Sequence, residues 1–477
     1  MKELRGYLKI LFLFCFCQLL YGWGNSLTHP AITVQAVNSS EATLDNYLKT
    51  QLGLSSGLST QLCWDFSADI EKRIKAGGAG PSKKTRAIVD WIKTGSNIED
   101  MDGRIVLPSW RPRHHFHDPI RNTGLDNHFD YPDWKTPDGW VPLGESALWW
   151  ATKGYDRGGR KPVYNENYWQ SAREDFRRAL ALEDKTYREL NLASMFLNLG
   201  CVLHLLEDMG VPAHTRNDFL YGHFRSYLFD WGNDLENWAE KIVAQNGGQS
   251  PWEGSSAVAF DRLAKYFDAN EYNGDYLNGG LPSETWGLSE CTNYQFLSTS
   301  TMFGCTGAKY QFPHPAKEHV EPNLILPTGL GKKVYFNGSN YGVTHIARES
   351  YTYYFADGMG IYGEEIDTTN TTDDERVFVD YANITVSRTI SYATGLLNYF
   401  FRGRLTVEPN WVDPNIAVLT ITNDSNNSGI PQVLKGGVFE LYWDDTDGNR
   451  AEVNDLVVSG WGPSSVLEYS DAVTATF

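Results

Sequence analysis

Two histidines and an aspartate lie within a short stretch: His204, Asp208 and His214. His204 and Asp208 are four residues apart, so on a helix they share one face. Gly210 and Pro212 then break the helix, and His214 follows where the chain has turned. Leu192, Met195, Phe196, Leu199, Val202, Leu203 and Leu206 precede them as a wide apolar stripe. Two imidazoles and a carboxylate at the end of a greasy helix form the N/O donor set that zinc takes. The plainer reading makes His204 a satisfied core histidine and Asp208 a solvated helix end.

Other elements must bring partners to this stretch. Residues 167–209 read as two helices, or one broken near Glu183-Asp184-Lys185. Upstream, residues 44–93 carry helical periodicity, and 95–100 read as a loop ending in Glu99 and Asp100. Arg111–Pro119 (RPRHHFHDP) forms a second loop with His114, His115 and His117. His29 sits near the start of a helix that Thr28 could cap. Helix resumes near Asp234 and carries Glu236. The Gly-, Asn-, Ser- and Tyr-rich residues 245–345 read as long surface excursions. His345–Met359 read as helical, and Asp374–Arg402 as a long aromatic helix closing a bundle. After Gly403, alternating apolar and polar residues between Asn, Asp, Gly and Pro turns read as strands. The expected fold is therefore mainly α, a helical bundle over residues 23–403 with a small β-sandwich-like module at 404–477.

The chain has 477 residues, 41% hydrophobic and 14% aromatic, enough for a sizeable core and unlike a disordered chain. Lys2, Arg5 and Lys9 precede the apolar run Ile10–Leu20, which reads as a secretory signal spanning residues 1–22. Its removal deletes three basic and one acidic residue and takes the formal charge from −18 to −20. Such acidity disfavours capture of duplex nucleic acid, where neutralising phosphates supplies much of the affinity. Cys63, Cys201, Cys291 and Cys305 would remain outside the cell, where pairing is feasible. Cys291 and Cys305, in one Gly/Ser/Thr-rich region, are the preferred pair, and no CxxC points to a thiolate metal site.

Five of the eleven histidines fall in an ordered series. Trp23 follows a credible cleavage point, His29 lies six residues on, Asp100 precedes HFHDP (His115–Pro119), and His204-xxx-Asp208-x5-His214 precedes Glu236. In this order the motifs resemble the zinc-dependent phospholipase C family and its relatives, the single-strand-specific trinuclear-zinc nucleases. The likeness covers roughly residues 23–240 and the helix near 385–402, and leaves the tail outside. It implies three Zn2+ per chain. Asp100, His115, His204 and Asp208 would hold one. The α-amino group and carbonyl of a processed Trp23, with His29 and Asp208, would hold another. His214 and Glu236 would bind the remaining one. Here the chain departs from the family, which has a histidine four residues before the acid where this chain has Gly232. His223 is the candidate replacement, with Asp230 and Asp234 as alternatives.

The resemblance implies phosphodiester hydrolysis by a metal-activated water. Asp100 then reads either as the catalytic base or as a metal ligand. Phe116 and Asn217 are candidate substrate contacts. His114 and His117 read as supporting or exposed groups, Asp118 as a loop fastener, and Glu207 as turned away from the metals. His128, His314, His319 and His345 read as isolated structural histidines. The expected substrate is a phospholipid or another phosphodiester, met through transient contact with a membrane surface. A single-strand nuclease, or a non-catalytic surface protein stabilised by zinc, are the alternatives.

Overall fold

The computed structural model describes residues 27–65, 83–100, 111–125, 144–154, 164–218, 235–298, 301, 303, 312–328, 331–356, 361–367 and 374–477. The signal segment 1–22, Trp23, His128, His223, Asp230, Gly232, Asp234 and Cys305 lie outside the described residues.

Its helices are α1 (Thr28–Ser39), α2 (Glu41–Thr50), α3 (Ile88–Ile98), α4 (Ala147–Lys153), α5 (Trp169–Ala181), α6 (Lys185–Glu207), α7 (Pro212–Thr215), α8 (Leu235–Gln245), α9 (Ala264–Phe267), α10 (Leu288–Gln295) and α11 (Glu375–Phe400). Strands β1 (Gln61–Asp65) and β2 (Lys83–Ala87) pair antiparallel. Strands β3 (Glu321–Thr328), β4 (Gly331–Gly338), β5 (Val343–Ala356) and β6 (Ile361–Asp367) form an antiparallel meander.

Helix α6 is the axis of the molecule. Asp184 caps it, its carboxylate accepting from the Tyr187 N–H at 2.9 Å. From Leu192 to Glu207 nearly every residue is buried, because α1, α3, α4, α5 and α11 all pack on it. By length and composition Lys185–Gly210 could cross a membrane, but 83% of its most apolar window is buried inside the fold. A core helix with neighbours on all sides needs the same apolar surface.

Helices α3 and α6 cross with their backbones in contact. A Cβ on Gly95 would sit 2.0 Å from the Leu197 carbonyl oxygen, and one on Gly200 would sit 2.0 Å from that of Ile92. Only glycine permits this approach. It lets the Cys201 thiol donate to the Gly95 carbonyl at 3.3 Å and sets the Ser96 carbonyl against the next turn of α6.

Several sequence expectations need correction. The chain is 42% helical and 22% strand, with several sheets, so it is not mainly α. Val343–Ala356 is a strand where a helix was expected over 345–359. Its Tyr-, Thr- and Phe-rich run suits a ladder between β4 and β6. The β1–β2 pair interrupts the helical reading of 44–93, and α3 runs on to Ile98 through the expected loop at 95–100.

The 245–345 region is not simply surface. Helix α10 is buried on every face, so its polar sequence shows no stripe. Fixed partners satisfy that polarity. The Glu290 carboxylate accepts from the N–H groups of Ala269, Glu271, Tyr272 and Gly287. The Ser289, Asn293 and Gln295 side chains donate to carbonyls of Phe267, Thr215 and Tyr341. Cys291 is a free buried thiol beside the Tyr392 hydroxyl, which removes the expected bridge to Cys305.

The tail is built on the hairpin β7 (Leu405–Asp413) and β8 (Ile416–Asn423), extended by Ala472–Thr476 and Val457–Val458 into one four-stranded sheet. The other tail strands are two-stranded ladders, not a second facing sheet, so the sandwich expectation does not hold. Leu419, Ile421 and Ala475 form its own small core. The tail also grips the start of α6. The Arg450 N–H donates to the Glu183 carbonyl at 2.9 Å, and Arg188 donates to the Gly448 carbonyl.

Gly200→Ala is expected to lower unfolding free energy by about 1–3 kcal/mol, the usual cost of overpacking. Gly403→Ala, where an added Cβ meets nothing within 4 Å, should be neutral in the same denaturant titration.

Candidate metal centre

The C-terminal end of α6 gathers groups from four separate segments. His204 is in its last turn, Asp208 opens the 3-10 turn Asp208–Gly210, and Pro212 starts α7, which carries His214. His29 comes from α1, Asp100 from just beyond α3, and His115 from just beyond the 3-10 turn Arg111–His114. Arg111 forms a buried ion pair with the Glu99 carboxylate and donates from Nε to the Glu99 carbonyl at 2.8 Å. That pair ties the segment bearing His115 to the segment bearing Asp100.

The side chains meet in two overlapping groups, His29–His204–Asp208 and Asp100–His115–His204, whose facing ligand atoms lie within 4.8 Å of one another. His29 Nε2 is 3.3 Å from Asp208 Oδ1. His115 Nδ1 is 3.1 Å from Asp100 Oδ1 and 2.8 Å from Asp208 Oδ2. His204 Nε2 is 3.3 Å from Asp100 Oδ2 and 3.5 Å from Asp208 Oδ2. To one side, His214 Nε2 lies 3.3 Å from Glu236 Oε1 and 3.9 Å from Asp208 Oδ1. Asp208 therefore faces all four imidazoles.

The donor set fits metal ions. His29 Nε2, His204 Nε2, His115 Nδ1 and both Asp208 oxygens are buried and form no hydrogen bond with the described residues, despite their proximity. Buried polar atoms left this way are rare unless something else satisfies them. Two ligand atoms each about 2.0–2.1 Å from a tetrahedral zinc lie about 3.3–3.4 Å apart, close to most of the separations here.

The outer ring nitrogens are held. His204 Nδ1 is 2.6 Å from the Ser96 carbonyl, and His214 Nδ1 is 2.8 Å from that of His115. A carbonyl can only accept, so each Nδ1 carries a proton and each Nε2 is the nitrogen turned inward. The His117 N–H donates back to the His214 carbonyl at 3.0 Å.

Burial and charge set the protonation states. Burial, and then the neighbouring His204, hold His29 and His115 well below the usual imidazole range. Burial holds His214 down to about 4. His204 goes the other way: burial opposes its charge, but the Asp100 and Asp208 carboxylates outweigh burial and raise it to about 10. Burial pushes Asp208 well above the usual carboxylate range and lifts Glu207 to about 8.

The remaining candidates take varied places. Phe116 is fully buried and stacks on the His214 ring at 4.5 Å, behind a candidate ligand. Asn217 is fully buried with φ of 52°, and neither amide atom finds a partner among the described residues. His117 Nε2 is 2.7 Å from Asp268 Oδ2, and His114 is buried against Trp150 with ring centroids 4.0 Å apart. Asp118 fastens its own loop by accepting from the N–H groups of Ile120 and Arg121. His314 and His319 are not isolated: each Nδ1 meets the Tyr341 hydroxyl, and His319 stacks on Tyr276. His345 pairs with Asp380 at 2.8 Å.

Glu207, expected to point away from the metals, lies on the outer side of His29. Its Oε2 lies 2.7 Å from His29 Nδ1, and its Oε1 accepts from the Thr33 hydroxyl at 2.6 Å. The i, i+4 spacing of His29 and Thr33 marks one polar face on α1. No local rule pairs that face with a residue 178 positions away.

No family model, curated protein or solved structure matches this chain.

These proton affinities give the metal-free protein a stability maximum near neutrality. His29, His115 and His214 are depressed, so the unfolded chain binds more protons below about pH 6.5 and stability falls with acid. His204 is raised, so its contribution is complete below about pH 6.5 and is lost as pH climbs through 10. Asp208, also raised, acts in the same direction. Saturating zinc requires deprotonated ligands and should abolish the alkaline decline while deepening the acid one. Melting temperatures from pH 5 to 10, with and without zinc, check this.

Proposed function

We propose that the chain is a secreted zinc-dependent phosphodiesterase of the phospholipase C type, hydrolysing the phosphodiester of a phospholipid head group. The observation that carries this reading is the buried convergence of His29, Asp100, His115, His204 and Asp208, with His214 and Glu236 adjacent. Its supports are the ordered motifs, the signal-like N-terminus and an acidic chain unsuited to long nucleic acid.

Metal ions bound by these residues would supply a Lewis acid and an acidified water for attack at phosphorus. The chain's own residues do the rest. Asp208, facing all four imidazoles, links the two parts of the centre. Asp100 sits at its edge, 3.1 Å from His115 and 3.3 Å from His204, as ligand or base. Phe116 keeps water from the back of His214. Asn217, with both amide atoms uncommitted to the described protein, is the candidate for bonding a phosphate or leaving-group oxygen.

Assay of the processed protein on a chromogenic choline phosphodiester and on single-stranded DNA tests the reading. The choline ester should be cleaved, chelator should stop it, and Asp208→Asn should lower kcat/KM by about 100-fold or more, the scale of losing transition-state charge stabilisation. Cleavage of DNA alone would replace the lipid substrate with a nucleic acid. Inactivity on both with full zinc occupancy would end the enzymatic reading. A residue left before Trp23 should reduce zinc per chain; an unchanged stoichiometry by metal analysis would remove the amine from the ligand set.

A further inference from the structure

We propose that Glu207 is the positioning residue of the centre, setting both the ring orientation of His29 and the placement of α1 on α6. This rests on the metal-binding reading above, though not on the substrate. Glu207 is fully buried at the end of α6, immediately before Asp208. One oxygen meets His29 Nδ1 at 2.7 Å and, at 3.4 Å, the Ser96 hydroxyl of α3. The other accepts from Thr33, one turn further along α1, at 2.6 Å.

Three helices thus meet on a single carboxyl group. His29 and Thr33 fix the rotation and axial position of α1 at two points, because a slide of one residue would move both side chains off the carboxylate. An imidazole that ligates through Nε2 must keep its proton on Nδ1, and Glu207 is the acceptor facing that proton. The His29 ring also stacks on that of His204, 3.7 Å apart and 18° from parallel, which fixes its plane. Glu207 therefore selects the ring atom that faces Asp208, without facing the metal position itself.

Isothermal titration of the metal-free full chain with zinc, alongside thermal unfolding without metal, tests this. Glu207→Gln keeps the shape and one acceptor but replaces the other oxygen with an amide NH2, and should weaken the His29-dependent zinc step by about 10–100-fold. Its metal-free melting temperature should stay close to the parent. Glu207→Ala should lose both zinc affinity and metal-free stability. Thr33→Val, which keeps the His29 contact, should lower stability while leaving zinc affinity within about twofold. The 15N shifts of His29 should report a proton on Nδ1 in the zinc-loaded parent and a mixed tautomer in Glu207→Gln. Unchanged zinc affinity in Glu207→Gln, with Glu207→Ala merely less stable, would overturn the proposal by making Glu207 a structural staple. His29→Ala is the control: if it too leaves zinc binding unchanged, the metal centre itself fails.

Discussion

The centre depends on how closely two helices can approach. Where α3 crosses α6, Gly95 and Gly200 leave no side chain between the backbones, and the Ser96 carbonyl reaches His204 at 2.6 Å. Any larger residue would move α3 outward, taking with it the acceptor that orients His204. Asp100 follows the same helix, so its distance to His115 and His204 is set by the same crossing. Packing and the geometry of the candidate centre are one constraint here.

Around that crossing, buried polar groups hold the centre's own supports. Arg111 and Glu99 join the segments of His115 and Asp100. The His117 N–H donates to the His214 carbonyl and His214 Nδ1 donates to the His115 carbonyl, which laces the HFHDP stretch to α7. An ion pair this deep is expensive to desolvate, but further hydrogen bonds to the Glu99 carbonyl and to the Asn165 and Trp150 side chains offset part of that cost. Such a network stabilises a particular arrangement more than it stabilises the fold as a whole.

Much of the centre was legible in the chain itself. The HxxxD spacing of His204 and Asp208, the breakers after them and the helix that bears them follow from local rules, and so does the capped start at Asp184. His29, Asp100 and His115 could be placed only through ordered resemblance, since no spacing rule spans such separations. The partners of Glu207 on α1 could not be read from the sequence, because helix periodicity gives a face but not a neighbour. Residues 288–295 were misread for a different reason: periodicity reports contrast between faces, and a helix buried all round has none. Val343–Ala356 failed because an aromatic and β-branched run was assigned without the strands that flank it.

The centre also sits at one particular pole of a long helix. Aligned peptide dipoles leave the C-terminal end of a helix with roughly half a negative charge, and the 23-residue α6 ends at Glu207. Asp208, Asp100 and Glu236 add carboxylates at the same pole. This concentration of carboxylates at a negative helix pole favours a cation over an anion at the centre. On the proposed function, the cations would load first, and only then would the field at this pole favour an anionic phosphate.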